Sequence, residues 1–149
     1  MAEHLFNAAP VILIVDDQPS DVLMLSEAVR DLGEVHVASD GRMALEVARF
    51  CRPDLVLLDV WLPDGEGFSL LRELRQAGAS LDVILLTAAR EAGALQEAMR
   101  LGVVDFILKP VVFERLRDTL DKYCQNRAAL AALADIDQQA VDADRKSVV

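Results

Sequence analysis

The polar residues that follow four short apolar runs are of types that suit metal and phosphoryl chemistry. They are Asp16, Asp17, Asp59, Thr87 and Lys109. Three carboxylates brought together would repel one another strongly unless a cation lay among them. Oxygen ligands of this kind favour a hard divalent ion such as Mg²⁺. Zinc is disfavoured, because no His or Cys lies near these positions in the sequence.

The same residue types could also handle a phosphoryl group. A carboxylate can act as a nucleophile toward phosphorus and form an acyl phosphate. The phosphoryl oxygens would then need positive charge, which Mg²⁺ and Lys109 could supply, and a hydroxyl donor, which Thr87 could supply. The alternative is a surface salt-bridge cluster. We disfavour it because solvated charges spread along helix faces, whereas these residues recur at the ends of apolar runs.

The elements that must position these residues alternate along the chain. Four apolar runs predict strands at Val11–Val15, Leu55–Leu58, Val83–Leu86 and Val103–Leu108, and the less apolar stretch Glu34–Ala38 is the candidate for a fifth. Between and after them, five stretches predict helices: from a Ser20 cap to Gly33, from an Asp40 cap through Met43–Phe50, Phe68–Arg75, Ala92–Leu101, and from Phe113 past Tyr123. This order predicts a doubly wound (βα)₅ domain of the α/β class, with a parallel sheet buried between helices. The carboxyl ends of its strands would meet where such sheets bind ligands.

Composition limits the classes of partner. The chain has 149 residues, enough for one domain, and a net charge of −10 without a basic segment that could grip nucleic acid. Cys51 and Cys124 form no metal-binding motif and suit a reduced, intracellular protein. No apolar run reaches the roughly 18 residues of a membrane span, and the first ten residues lack a basic signal-peptide region. We therefore predict a cytoplasmic protein.

The combined motifs resemble the receiver domains of two-component response regulators. The matching elements are Ile14-Val15-Asp16-Asp17, Asp59 with Pro63 and Gly67 after it, Thr87, and Lys109-Pro110. The resemblance covers residues 10–124. It implies a flavodoxin-like fold with strand order 2-1-3-4-5, and a signalling switch that a histidine kinase phosphorylates on Asp59.

The resemblance also implies roles for the residues around Asp59. Asp17, Asp59 and the backbone carbonyl of Trp61 would ligate Mg²⁺, with Asp16 acting largely through water. Thr87 would hydrogen-bond the phosphoryl group and Lys109 would pair with it. The Lys109–Pro110 peptide bond would be cis, which only X–Pro bonds adopt at modest cost.

Two aromatic residues have competing interpretations. Phe106 is at the family's switch position, where the ring would turn inward when the Thr87 hydroxyl moves; the alternative is an ordinary buried core ring. Trp61, two residues after Asp59, could shield the acyl phosphate from water; the alternative is a loop side chain covering apolar surface. For Asp64 and Glu66 we expect turn formation. For Asp54 and Asp82 we expect surface positions at strand entry.

The tail supports a narrower resemblance. Phe113–Arg117, Tyr123, and the later Ile136–Gln139 are similar to citrate- and C4-dicarboxylate-responsive transcription regulators. Residues 1–9 would then be a flexible N-terminus, and residues 125–149 a helical linker to an output helix-turn-helix domain that is absent from this sequence. The implied partners are a histidine kinase, a second copy in a homodimer, and DNA through the output domain alone.

Three alternatives remain at this stage. A single-domain receiver could act by binding another protein. A haloacid dehalogenase-type phosphatase would also use a strand-end Asp and Mg²⁺, but it wants a second Asp where this chain has Trp61. A flavin or nucleotide binder would need a Gly-rich loop in place of Asp16-Asp17-Gln18-Pro19. We expect no enzyme turnover beyond self-phosphorylation from a donor and slow loss of the phosphate.

Overall fold

The computed structural model describes residues 9–77, 80–88 and 92–147, in which strands and helices alternate. The strands are β1 (Val11–Val15), β2 (Glu34–Ala38), β3 (Leu55–Asp59), β4 (Trp61–Leu62), β5 (Gly65–Glu66), β6 (Asp82–Thr87) and β7 (Asp105–Leu108). The helices are α1 (Pro19–Val29), α2 (Gly41–Cys51), α3 (Gly67–Gln76), α4 (Ala92–Arg100) and α5 (Phe113–Ser147).

Five of the strands form one parallel sheet in the order β2-β1-β3-β6-β7. Counted along this sheet alone, the order is 2-1-3-4-5, which confirms the predicted flavodoxin-like α/β fold. The two short strands β4 and β5 pair antiparallel in a separate hairpin directly after β3. From the sequence, only a turn is predicted here, at Asp64 and Glu66.

Helices cover both faces of the sheet, which explains why the central strands are apolar on both sides. Buried side chains of α2, α3 and α4 pack on one face, as Ala48, Leu71 and Ala98 illustrate. Those of α1 and α5 pack on the other, as Leu25 and Leu120 illustrate. The strand ends are thereby fixed between two apolar layers.

One helix cap is confirmed and another prediction is wrong. Asp40 caps α2 by accepting a 2.7 Å hydrogen bond from the Met43 amide. Ser20, however, lies inside α1: the helix begins at Pro19, which needs no amide partner, and its N-cap is Gln18. The same helix ends at Val29 rather than Gly33, because a turn closed by Leu32 N–H on the Val29 carbonyl carries Leu32 into the core.

The last helix extends well beyond the part that is buried in the core. It packs against the sheet as far as Cys124 and continues as one helix to Ser147. Within the predicted linker, Leu130, Leu133 and Ile136 are 67%, 58% and 59% exposed. Residues 1–8 of the predicted flexible N-terminus, and 148–149 of the predicted linker, lie outside the described residues. None of the helices described combines the length and apolarity needed to cross a membrane.

Candidate functional site

The predicted site residues converge at the carboxyl edge of the sheet. Asp16 and Asp17 follow β1, Asp59 ends β3, Thr87 ends β6 and Lys109 follows β7. Carboxylate oxygens of Asp16, Asp17 and Asp59 all lie within 4.8 Å of one another. Asp16 and Asp59 are buried, whereas Asp17 is exposed. The convergence that we inferred from strand-end placement is therefore present.

Lys109 lies at the centre of this carboxylate cluster. Its Nζ is 2.9 Å from Asp16 Oδ2, 3.2 Å from Asp59 Oδ2 and 3.0 Å from Asp21 Oδ2. Asp21 was not identified by the sequence analysis, although it lies in the first turn of the helix that follows Asp17. One ammonium thus faces three carboxylates, and Asp17 adds a fourth negative charge to the cluster.

Burial and charge act in opposite directions on the two central groups. Burial raises the pKa of Asp59 above its usual value, the charge of Lys109 lowers it, and the neighbouring Asp16 raises it again. For Lys109, burial alone would lower the pKa, but hydrogen bonds to Asp16 and Asp21 and the charge of Asp59 raise it overall. Lys109 therefore stays cationic beside the Asp59 carboxylate.

Thr87 is next to Asp59 in the sheet and is almost wholly buried. Asp59 pairs with Leu86, the residue before Thr87, and the Lys109 amide donates to the Thr87 carbonyl over 2.8 Å. The Thr87 hydroxyl donates to the Ala88 carbonyl at 3.2 Å. The hydroxyl can therefore exchange one acceptor for another at the strand end.

Phe106 is 42% exposed, so the alternative of a buried core ring is wrong. The register pairs Phe106 with Leu85, two residues before Thr87. Because side chains two positions apart share a face of a strand, Phe106 and Thr87 lie on the same face of the sheet. This placement is compatible with a switch role, which stays a prediction.

A cleft of about 320 Å³ opens at this edge of the sheet, and Trp61 forms part of its wall together with Asp17, Asp59 and Lys109. The Trp61 side chain is 52% exposed, and its amide lies 3.4 Å from Asp59 Oδ1. The Lys109–Pro110 peptide bond is cis, as the resemblance implied.

Gly67 explains why the end of β3 and the start of α3 can lie so close together. A Cβ at this position would lie 2.3 Å from the Asp59 carbonyl oxygen, closer than side-chain atoms are found to backbone. The Gly67 amide instead donates to the Val60 carbonyl over 2.5 Å. A larger residue at position 67 would push α3 away from the backbone of Asp59.

Three acids that the sequence analysis treated as surface or turn residues have specific partners elsewhere. Asp54 accepts from the Val11 amide at 2.8 Å, which joins the starts of β1 and β3. Asp82 accepts from the Tyr123 hydroxyl at 2.5 Å and from Arg127 at 2.8 Å. Asp64 binds amides of α2. Sequence position alone could not reveal these contacts, because each partner is more than 20 residues away.

The donor set suits a hard divalent cation. Three carboxylates lie within one another's reach, all ligand atoms are oxygens, and Lys109 neutralises only part of their charge. Neither His nor Cys belongs to the cluster among the residues that the structure describes. The residues therefore fit Mg²⁺ better than zinc.

Comparison with known proteins agrees with this geometry. The family model described as "Response regulator receiver domain" matches residues 12–121. The transcriptional regulatory protein DpiA of Escherichia coli is 37% identical over 140 residues, covering 91% of this chain and 62% of DpiA. The probable C4-dicarboxylate response regulator DctR of Bacillus subtilis is 31% identical, with 89% and 60% covered.

Solved structures give the same result for the fold. The chemotaxis protein CheY4 of Vibrio cholerae superposes with a TM-score of 0.70 at 31% identity, covering 77% of this chain and 98% of that one. The chain spans about 60% of the length of the curated relatives it matches. On the family model and these relatives, the chain belongs to the response regulator receiver domain family.

Proposed function

We propose that this domain is a phospho-acceptor switch in which Asp59 takes a phosphoryl group from a histidine kinase in a Mg²⁺-dependent reaction. The observation that supports the proposal most strongly is the convergence of Lys109 and three strand-end carboxylates around Asp59. An ordinary salt bridge does not need a second and third carboxylate packed around one cation, since their repulsion costs stability.

The metal would be held by Asp17, Asp59 and the backbone carbonyl of Trp61, with Asp16 contributing largely through water. When bound, Mg²⁺ supplies positive charge to the phosphoryl oxygens and offsets the repulsion among the carboxylates. Lys109 remains cationic, so it can pair with a phosphoryl oxygen once Asp59 is phosphorylated. The protein thus brings two sources of positive charge to one acceptor.

The transfer itself needs one bond to form and one to break. An Asp59 carboxylate oxygen attacks phosphorus, and the bond from phosphorus to the donor nitrogen breaks, with its electron pair leaving on the kinase imidazole. The Thr87 hydroxyl then exchanges the Ala88 carbonyl for a phosphoryl oxygen. That movement would vacate space for the Phe106 ring to turn inward and so alter the α4–β7–α5 surface.

The output proposed for the whole protein is transcription. DpiA is named a transcriptional regulatory protein, and this chain covers about three fifths of it. We propose that α5 leads beyond residue 125 into a DNA-binding output domain and that activation promotes homodimerisation in the cytoplasm. The mass of the protein isolated from its own cells tests this: a mass near 16.3 kDa would favour a single-domain receiver instead.

The experiment for the central proposal uses acetyl phosphate or phosphoramidate with Mg²⁺. We expect the mass of one phosphoryl group on the wild-type chain and none on Asp59→Asn. The matched control is Asp54→Asn, the same change just before the start of β3, which should still accept phosphate. Chelation of the metal, or Asp17→Asn, should slow acceptance strongly.

Two results would contradict the proposal. Phosphate that remains on Asp59→Asn would place the acceptor elsewhere. Multiple turnover of a phosphate ester would instead favour the dehalogenase-type phosphatase, although that class wants an Asp where this chain has Trp61. We propose that the domain has no turnover activity beyond accepting the phosphoryl group and slowly losing it.

A further inference from the structure

The hairpin formed by β4 and β5 joins the acceptor residue to a distant helix. It begins two residues after Asp59, and Trp61 pairs with Glu66 across it. Leu62, which pairs with Gly65 next to the turn, is buried in the core between the sheet and α3. Trp61 borders the same cleft as Asp59 and Lys109. The position of this hairpin therefore decides how well the indole covers the acceptor carboxylate.

The tip of the hairpin is tied to the start of α2 by one side chain. Asp64 Oδ1 accepts from the Gly41 amide at 2.8 Å, and Oδ2 accepts from the Arg42 amide at 3.0 Å. Both carboxylate oxygens are thus bound at the positive end of a helix, which lowers the pKa of Asp64 below its usual value. A Cβ on Gly41 would lie 3.3 Å from Oδ1, so glycine allows this approach.

Helix α2 has another cap of its own. Asp40 accepts from the Met43 amide, while Asp64 accepts from the two amides that precede it. The two carboxylates serve different donors of one helix, and Asp64 alone belongs to the hairpin. Its contact spans more than 20 residues of sequence and connects the hairpin to α2.

We propose that Asp64 is a positioning residue that latches the hairpin to α2, holds Trp61 over the acceptor site and so prolongs the phosphorylated state. The inference rests on the proposed function of Asp59. Asp64 is not among the residues that line the cleft around Asp59, so it would act on Trp61 through the backbone of the hairpin. Because the Gly67–Val60 hydrogen bond closes the base and the Leu62 side chain is held in the core, loss of the latch should let the hairpin shift without unfolding the domain.

The test compares Asp64→Ala with Asp40→Ala in the full chain. Both variants remove one carboxylate from the start of α2, but only the first frees the hairpin. The first readout is quenching of Trp61 fluorescence by acrylamide in unphosphorylated protein, since the chain has a single tryptophan. The second is the rate of phosphate loss after the donor is removed. Trp61→Asn serves as the reference for an uncovered site.

We expect Asp64→Ala to increase quenching and to shorten the phosphate lifetime severalfold, toward the value of Trp61→Asn. Asp40→Ala should leave both close to wild type, and Asp64→Asn, whose amide oxygen can still accept a hydrogen bond, should fall between. Equal effects of Asp64→Ala and Asp40→Ala would overturn the proposal, as would a Trp61→Asn lifetime equal to wild type. A wild-type chain that takes no phosphate would refute the proposed function, and the quenching comparison would still test the latch.

Discussion

In this domain the surroundings of two nearby carboxylates shift their pKa values in opposite directions. Asp59 and Asp64 are five residues apart, yet burial raises the pKa of the first while two helix amides lower the pKa of the second. The raised pKa of Asp59 reflects a carboxylate whose charge is poorly solvated even beside the Lys109 ammonium. A lowered pKa reflects one whose charge is already stabilised by donors. Asp59 and Asp64 can therefore be distinguished by environment, although the residue type is the same.

Tyr123 should make the stability of the folded chain fall at alkaline pH. Burial and the hydrogen bond to Asp82 raise the pKa of Tyr123 above its ordinary value. An unfolded tyrosine loses its proton near pH 10, whereas folded Tyr123 keeps it, so the contribution to stability is complete below about pH 10 and is lost as pH rises further.

Urea denaturation across this alkaline range, with Tyr123→Phe beside wild type, measures the effect. We expect the wild-type free energy of unfolding to fall more steeply than that of the variant, since lysine titration is common to both. Because the chain has a single tyrosine, tyrosinate absorbance reports this group directly. Parallel curves for the two proteins would show that the Tyr123–Asp82 bond does not control the pKa.

At the scale of elements, Arg75 of α3 binds the backbone that follows α4. This side chain donates to three backbone carbonyls, with distances of 2.6 Å to Leu81, 3.0 Å to Leu101 and 3.3 Å to Gly102. The carbonyls of Leu101 and Gly102 directly follow α4, where partners within the helix are lacking. Arg72 also joins the two helices, through an ion pair with Glu97 in which both side chains are about 40% exposed.

We expect Arg75→Met to cost about 1–3 kcal/mol, because it leaves partly buried carbonyls without a charged donor. Arg72→Met should cost only about 0.2–1 kcal/mol, because an exposed ion pair is screened by water and salt. Methionine keeps most of the aliphatic stem in both variants, and the midpoint of urea unfolding ranks them. A larger loss for Arg72→Met would mean that the ion pair, rather than carbonyl capping, fixes α4.

The element order and the strand-end residues could be predicted because local patterns determine them. Apolar runs specify buried parallel strands, and the residue after each run must then lie at one edge. Asp21, Asp64 and Arg75 could not be assigned in this way. Their partners come from other elements, and only tertiary packing brings the helix starts and ends within reach. The prediction that Ser20 caps α1 is wrong for a local reason, because the helix already begins at Pro19.

At the scale of the molecule, the receiver and the extension of α5 meet at a clamp formed by three residues. Asp82, which begins β6, binds both Tyr123 and Arg127. The same strand ends at Thr87, so one element runs from the carboxylate cluster to the point where α5 leaves the domain. Beyond Arg127 the helix is largely exposed as far as residue 139. This arrangement places the structural boundary of the domain at the clamp.

Two shortened chains test that boundary. A chain ending at Arg127 keeps the clamp, so its free energy of unfolding should stay within about 1 kcal/mol of the full chain, as expected when only exposed residues are removed. A chain ending at Lys122 loses the buried Tyr123 and Cys124 and leaves Asp82 without both partners, which should cost about 3 kcal/mol or more. Urea unfolding followed by Trp61 fluorescence measures both. A comparable loss in the longer of the two chains would mean that residues 128–147 also stabilise the receiver, and the boundary would then lie further along α5.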